Sequence, residues 1–350
     1  MRILNIKERI RLFQPLLNKC LKGETLSRLE AEQAMNEIVK GNVCAEQMAS
    51  FLSILHYRGE TSEEMLGFTK TMRSFMTKIN YKNGTVIDTC GTGGDGAKTF
   101  NISTTTAIVL ASLGVKVAKH GNRAVSSKSG SADVLEYLGM NIQMDEKEAK
   151  HQLDKNHLCF IFAPNYHEAM KKVAPIRKKL GFRTVFNLLG PLLNPAMCEY
   201  QLMGIYNTCY GEKMADVLKQ LGTKKAAIVT GEDGLDECSI TGGTHVVELD
   251  NKTIKRYQFY PEDVGLKRGR LEELKANSPK ESAQIIENIF LNQASPSQRD
   301  IVLLNSGMAL YVKEEVSSIE EGVVRAKSAI ESGEVYAHFQ KMIRKETSYA

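Results

Sequence analysis

The sequence predicts an α/β protein: a small all-helical domain, then a large α/β domain with a mainly parallel central sheet. Three observations carry this. Residues 1–80 show helical periodicity and no strand pattern. From Thr85 onward, short β-branched runs alternate with helical stretches, the pattern of a parallel sheet covered on both faces. At 350 residues the chain is long enough for two unequal cores.

In the first part, apolar residues recur at three and four in LSRLEAEQAMNEIV and again in AEQMASFLSILHY. Thr25 or Ser27 caps the first of these helices and Gly41 ends it. Lys82-Asn83-Gly84 is a turn at which the character of the chain changes. Strands are expected at TVIDTC, VKVA, LCFIFA, YQLMGIY and KKAAIVT, with helices at 102–113, 131–138, 146–156, 167–180 and 209–221. Two weaker strands follow at 245–258, then helices at 282–292, 298–313 and 317–345. The apolar stretch GFRTVFNLLGPLLNPA, 181–196, fits neither period and is broken by Pro191 and Pro195. We expect it to return to the N-terminal helices, so that the domains run 1–80 plus about 181–196, and 81–350.

Bulk properties exclude several classes. No apolar run approaches the ~18 residues of a membrane span, and MRILNIKERIRLF is charged throughout rather than signal-like. The expected setting is the cytoplasm, with no membrane partner. The seven cysteines are an odd count with no CxxC, which argues against a disulfide framework or structural zinc. A net charge of +5 suits an anionic ligand but is too dilute for nucleic-acid binding.

The chemistry concentrates between Asp88 and Gly139, where two glycine-rich loops each follow a strand and precede a helix. Gly91, Gly93 and Gly96 satisfy GxGxxG, a pattern that alone is weak. A dinucleotide site needs an acid at the end of the second strand to grip ribose, and here Lys119-His120 stands there. The P-loop pattern fails because Lys98 comes one residue late. What remains is a loop whose backbone N–H groups can approach oxyanions, backed by a helix start at Asn101–Thr104, or else a tight structural turn. The second loop, KHGNRAVSSKSGSAD, is more specific: cations to neutralise phosphate and serines to donate to its oxygens. His120 reads equally well as a ligand contact or as a satisfied structural histidine.

These loops, with TFNIST, VAPIRKKLGFRTVFNLLGPLLNPA, GNVCAEQMASFLSILHYRGET and the late GLDE, closely resemble the anthranilate phosphoribosyltransferase family over nearly the whole chain. The resemblance implies transfer of phosphoribose from phosphoribosyl pyrophosphate (PRPP) to anthranilate in tryptophan synthesis, with Mg²⁺. It implies PRPP contacts at Gly91, Gly94, Asp95 and Thr99, and at Asn101, Ile102, Ser103 and Thr104 of the helix start. From the second loop it implies Lys119, His120, Gly121, Asn122 and Arg123, then Ala124, Val125, Ser126 and Ser127, and also Ser131. Gly91, Asn122 and Arg177 correspond to anthranilate contacts. Ser103, Asp236 and Glu237 correspond to the magnesium ligands, and Lys119, Asp236 and Glu237 to the groups that stabilise charge. A homodimer through the helical domain is implied as well, with Leu12, Phe13, Met35 and Met48 either at the dimer face or in that domain's own core. Two positions depart from the pattern. Glu168 stands where the family has proline, placing a negative charge near the expected aromatic-acid site, and Leu193-Asn194-Pro195 replaces Leu-Thr-Asn-Pro.

The residues support these roles independently. Breaking the C1–O bond of PRPP needs neutralisation of a departing pyrophosphate and a nucleophile held in line. Adjacent carboxylates after the strand KKAAIVT suit Mg²⁺, although Glu232 and Asp233 lie close by. A guanidinium at 177 can fork onto a carboxylate. No strong general base is expected. A pyrimidine nucleoside phosphorylase, a dehydrogenase and a nucleic-acid-binding paralogue are the rival readings.

Overall fold

The computed structural model describes residues 6–124 and 129–343. The chain opens with four helices: α1 (Ile6–Leu21), α2 (Arg28–Lys40), α3 (Ala45–Arg58) and α4 (Ser62–Phe75). Ser27 caps α2 in a reciprocal capping box with Glu30, and Gly41 ends it in the left-handed region at φ 75°. Thr61 and Glu64 repeat the box at α4. Gly67 of α4 lies so close to α2 that a Cβ would meet the Arg28 carbonyl at 2.5 Å, which explains the tight α2–α4 pairing.

The α/β part runs β1 (Ile87–Asp88), α5 (Ile102–Ser112), β2 (Val117–Gly121), α6 (Ser131–Tyr137), α7 (Glu146–Asn156), β3 (Leu158–Phe162), α8 (Ala163–Tyr166), α9 (Met170–Leu180), α10 (Val185–Leu189), β4 (Tyr200–Gly204), α11 (Gly211–Leu221) and β5 (Lys225–Gly231). The antiparallel pair β6 (Thr244–Asp250) and β7 (Thr253–Phe259) and the helices α12 (Pro279–Phe290), α13 (Pro296–Val312), α14 (Ile319–Glu331) and α15 (Glu334–Ile343) complete it. The seven strands lie in the order β3-β2-β1-β4-β5-β6-β7. The first five are mutually parallel, and β6 and β7 extend the sheet antiparallel.

One expected helix divides and another starts late. The segment 317–345 breaks at Gly333, which takes φ 79° between α14 and α15. The segment 167–180 starts later, at Met170, because the chain first makes the short turn α8 with Pro164 in its opening residues.

Residues of 185–193 share one apolar cluster with the N-terminal helices and with α11. Val185, Leu189 and Leu192 are completely buried there against residues such as Phe51, Leu55 and Phe68. Polar ties accompany this contact: Arg73 Nε donates to the Leu192 carbonyl at 2.8 Å, and Lys213 Nζ to the Glu60 carbonyl at 2.7 Å. A second cluster fills the space between the sheet and helices α5, α13, α14 and α15. Among the described residues, no helix is long and apolar enough to cross a membrane.

Candidate active site

β1 lies mid-sheet, with β2 on one side and β4 on the other, so the winding direction reverses there. Open parallel sheets form ligand crevices beyond the carboxyl ends of strands at such a point. The first glycine loop occupies it. Gly93, Gly94 and Gly96 have φ of 64°, 83° and 79°, a region that glycine enters at little cost. Thr92 N–H donates to the Gly204 carbonyl at 2.8 Å, and Gly93 N–H to Asp236 Oδ2 at 2.7 Å. A Cβ on Gly91 would stand 2.8 Å from Asp236 Oδ2, so glycine is needed where the loop meets the acidic segment. Asp95 Oδ1 accepts from Ala97 N–H at 3.1 Å, and Thr99 bridges Lys275.

α5 presents its start to the same crevice. Its first turn holds no acid, and Asn101 makes no side-chain cap bond, so the end keeps its positive character. Ser103 N–H donates to Glu237 Oε1 at 3.2 Å. Ile102 and Thr104 are buried behind it, the Thr104 hydroxyl having no hydrogen-bond partner. Asn101 ties the two loops together: its Nδ2 donates to the Ser129 carbonyl at 3.3 Å, while its Oδ1 accepts from Ser129 Oγ at 2.9 Å.

Lys119, at the end of β2, is 3% exposed. Its Nζ donates to the Thr89 carbonyl at 3.0 Å and to Ser103 Oγ at 3.1 Å, which sets a buried cation against the start of α5. His120 turns the other way. Its Nδ1 lies 3.2 Å from the Gly190 carbonyl and its Nε2 3.2 Å from His167 Nε2. Burial, together with the neighbouring imidazole, pushes His120 down to about 3, and burial pushes His167 down to about 4, so this pair stays neutral. Asp88, fully buried, accepts from His120 N–H at 3.2 Å through Oδ1, while Oδ2 has no partner; burial raises its carboxyl to about 6.

Asp236 and Glu237 are half-buried beside Asp95. Burial raises the proton affinity of both, and the charge of Asp95 adds to it, while Lys119 pulls Glu237 back down. Crowded carboxylates of this kind are relieved by a cation. Among the described residues no three His, Cys, Asp or Glu side chains form an all-protein metal cage. That fits Mg²⁺, which takes one or two carboxylates and completes its shell with water and substrate phosphate. Glu232 and Asp233 are engaged elsewhere: Glu232 accepts from Gly243 N–H at 2.7 Å, and Asp233 from Ser239 Oγ at 2.6 Å.

On the second loop, Gly121 packs so closely that a Cβ would strike Ser131 Oγ and the Phe160 ring. The Asn122 carbonyl accepts from Ser131 Oγ at 3.3 Å and Ala132 N–H at 3.2 Å. Arg123 is paired with Glu136 and Asp133, and Ala124 N–H with Asp133. Val125, Ser126 and Ser127 lie outside the described residues. Arg177, on α9, is half-buried, with Nη2 3.4 Å from Asn187 Oδ1 and its guanidinium 5.7 Å from the Phe186 ring centre. Glu168 is 88% exposed and 3.6 Å from Lys171, so its charge faces solvent and is partly offset.

The glycosyl transferase family's helical bundle domain matches residues 14–76, and its a/b domain matches 83–336. A relative from Shouchella clausii, an anthranilate phosphoribosyltransferase, is 53% identical over 327 residues, covering 93% of this chain and 96% of its own. The chain belongs to the anthranilate phosphoribosyltransferase family. Another member, from Geobacillus kaustophilus, is 52% identical over 96% of this chain and 98% of its own. The anthranilate phosphoribosyltransferase structure from Thermus thermophilus superposes with a TM-score of 0.88 at 37% identity, covering 93% of this chain and 98% of that one. The Saccharomyces cerevisiae family member, solved in complex with PRPP and Mg, superposes at 0.86 with 27% identity over 95% of this chain and 96% of its own.

Sequence reasoning passed over three side chains that shape this family site. Arg183 packs on Gly94 and lies 4.0 Å over the Tyr206 ring, and nothing in the sequence marks it. Asp88 falls inside the expected strand TVIDTC, where nothing sets it apart. Asp133 carried a signal, since an acid three residues after a helix cap can reach back to the cap N–H.

Proposed function

We propose that this chain transfers the phosphoribosyl group of PRPP to the amine of anthranilate and releases pyrophosphate, as a step of tryptophan biosynthesis. One observation carries the reading: in a chain of this family, a glycine loop, a helix start, a buried lysine and paired carboxylates converge at the switch point of the sheet.

The 91–104 segment binds the phosphates through backbone N–H groups, with the start of α5 supplying its positive end. Lys119 offsets the charge that grows on the leaving pyrophosphate, and its carbonyl and hydroxyl partners hold it in place beforehand. Asp236 and Glu237, with Ser103, would hold Mg²⁺, which supplies further charge neutralisation. Arg177 takes the carboxylate of anthranilate and so aims the adjacent amine at C1, with Gly91 and Asn122 completing that subsite. The amine attacks as the neutral base, so the chain need supply no strong base. Phosphorolysis, hydride transfer and nucleic-acid binding are not favoured, since none uses the acidic pair and Arg177 together.

The test is Arg177→Ala. It raises the KM for anthranilate at least tenfold while that for PRPP changes less than threefold; equal rises would contradict the role.

Of the expected dimer-face residues, Phe13, Met35 and Met48 are buried in the apolar cluster, while the helical domain exposes Leu12 together with Leu21, Leu29 and Tyr57, the last 94% exposed. We assign the exposed apolar surface of this domain to a second copy of the chain in a cytoplasmic homodimer. Sedimentation at twice 38.9 kDa supports it, and a monomer at micromolar concentration refutes it.

A further inference from the structure

One carboxylate holds both ends of the second loop. Asp133 sits in the first turn of α6, 20% exposed. Its Oδ2 accepts from Ala124 N–H at 2.9 Å on the incoming side and from Gly130 N–H at 3.1 Å on the outgoing side. Its Oδ1 accepts from Arg123 Nη1 at 3.0 Å. The two sides of the neck are in backbone contact, because a Cβ on Gly130 would overlap Ala124 N and Arg123 C. Glycine at 130 is thus a steric requirement of this neck, although its φ of −85° is ordinary.

The same clamp redirects a cation. Arg123 gives Nη1 and Nη2 to the two oxygens of Glu136, at 2.6 and 2.9 Å, in addition to Asp133. A forked guanidinium committed to two carboxylates is an anchor, not a free partner for phosphate. Two further bonds join the neck to the rest of the site: Ser131 Oγ to the Asn122 carbonyl, and the reciprocal Asn101–Ser129 pair at the start of α5.

We propose that Asp133 is a positioning residue for PRPP binding: it fixes the neck of the second loop, Asn122–Ala124 against Ser129–Ser131, at the spacing that presents Asn122 and Ser131 to the phosphates beside α5. The effect acts through backbone N–H groups, so the acceptor oxygen matters more than the charge. This rests on the functional reading above.

The test uses the full-length protein with Mg²⁺, PRPP and anthranilate. Asp133→Ala raises the KM for PRPP at least tenfold while kcat falls less than threefold. Asp133→Asn keeps an oxygen able to accept both N–H groups and stays within threefold of the parent KM. Glu136→Gln, which loosens only Arg123, stays within threefold as well. A PRPP KM within twofold of the parent for Asp133→Ala overturns the proposal, and so does an Asp133→Asn variant as impaired as the alanine. Should Asp133→Ala not fold, Asp133→Glu displaces the carboxylate by one methylene and raises the KM at least fivefold; an unchanged value overturns it. A second readout does not depend on turnover: amide hydrogen exchange at Ala124 and Gly130 accelerates at least tenfold in the alanine variant while α6 stays protected, and unchanged exchange refutes the clamp. A parent enzyme that leaves PRPP untouched would refute the functional reading, while the exchange experiment would still decide the clamp.

Discussion

His120 and His167 show how single residues divide the work at this site. Both are 5% exposed, and their Nε2 atoms face each other, so one ring must accept where the other donates. Neither imidazole takes a proton in the native state until about pH 4 for His167 and about pH 3 for His120. In the unfolded chain both take one near pH 6.5. Below that pH the unfolded state therefore binds more protons, and stability falls as pH drops. The contribution is intact above pH 6.5 and is lost progressively from there to about pH 4 for His167 and about pH 3 for His120. His167→Gln removes one of these groups and reduces the acid slope of the unfolding free energy by on the order of 1 kcal/mol per pH unit. Urea unfolding at pH 7, 6 and 5 measures it, and an unchanged slope contradicts it. The sequence left His120 undecided between a ligand contact and a structural histidine, because adjacency to Lys119 says nothing about which way a ring turns. In β2 the two residues point to opposite faces, so the lysine meets the start of α5 and the histidine meets Gly190.

At the scale of elements, periodic patterns were the most legible. The helix at 146–156 matched to the residue, because Asp145 caps it and His157 ends it in the left-handed region. The five parallel strands and the later pair at 244–259 were readable from their β-branched runs. Sheet order was not: it depends on which edges pair after collapse, information that no local run contains. The break at Gly333 was missed because apolar spacing continues across it. In the candidate site, glycine and charge made the loops conspicuous, whereas the acceptors that hold them were hidden among ordinary acids. Asp133 looks like any first-turn carboxylate until its two N–H partners from opposite sides of the loop are in place.

The whole molecule places the candidate crevice on the sheet of the large unit and sets the N-terminal helices beside that sheet. Segment 185–193 leaves the large unit's sequence but buries its apolar face with the N-terminal helices. Arg177 on α9 and Arg183 at the glycine loop both precede that segment in the chain, and Arg177 Nη2 lies 3.4 Å from Asn187 Oδ1 within it. This arrangement suits a reaction in which an activated ribose must meet an amine before water does. The reaction proposed for this site joins an arylamine to the ribose of PRPP. The most direct measurement follows anthranilate fluorescence on mixing the protein with PRPP, Mg²⁺ and anthranilate. The expected result is a loss of fluorescence that requires PRPP, releases one pyrophosphate per anthranilate consumed, and collapses when Mg²⁺ is chelated. Fluorescence that persists with all components present, with PRPP recovered intact, would contradict it.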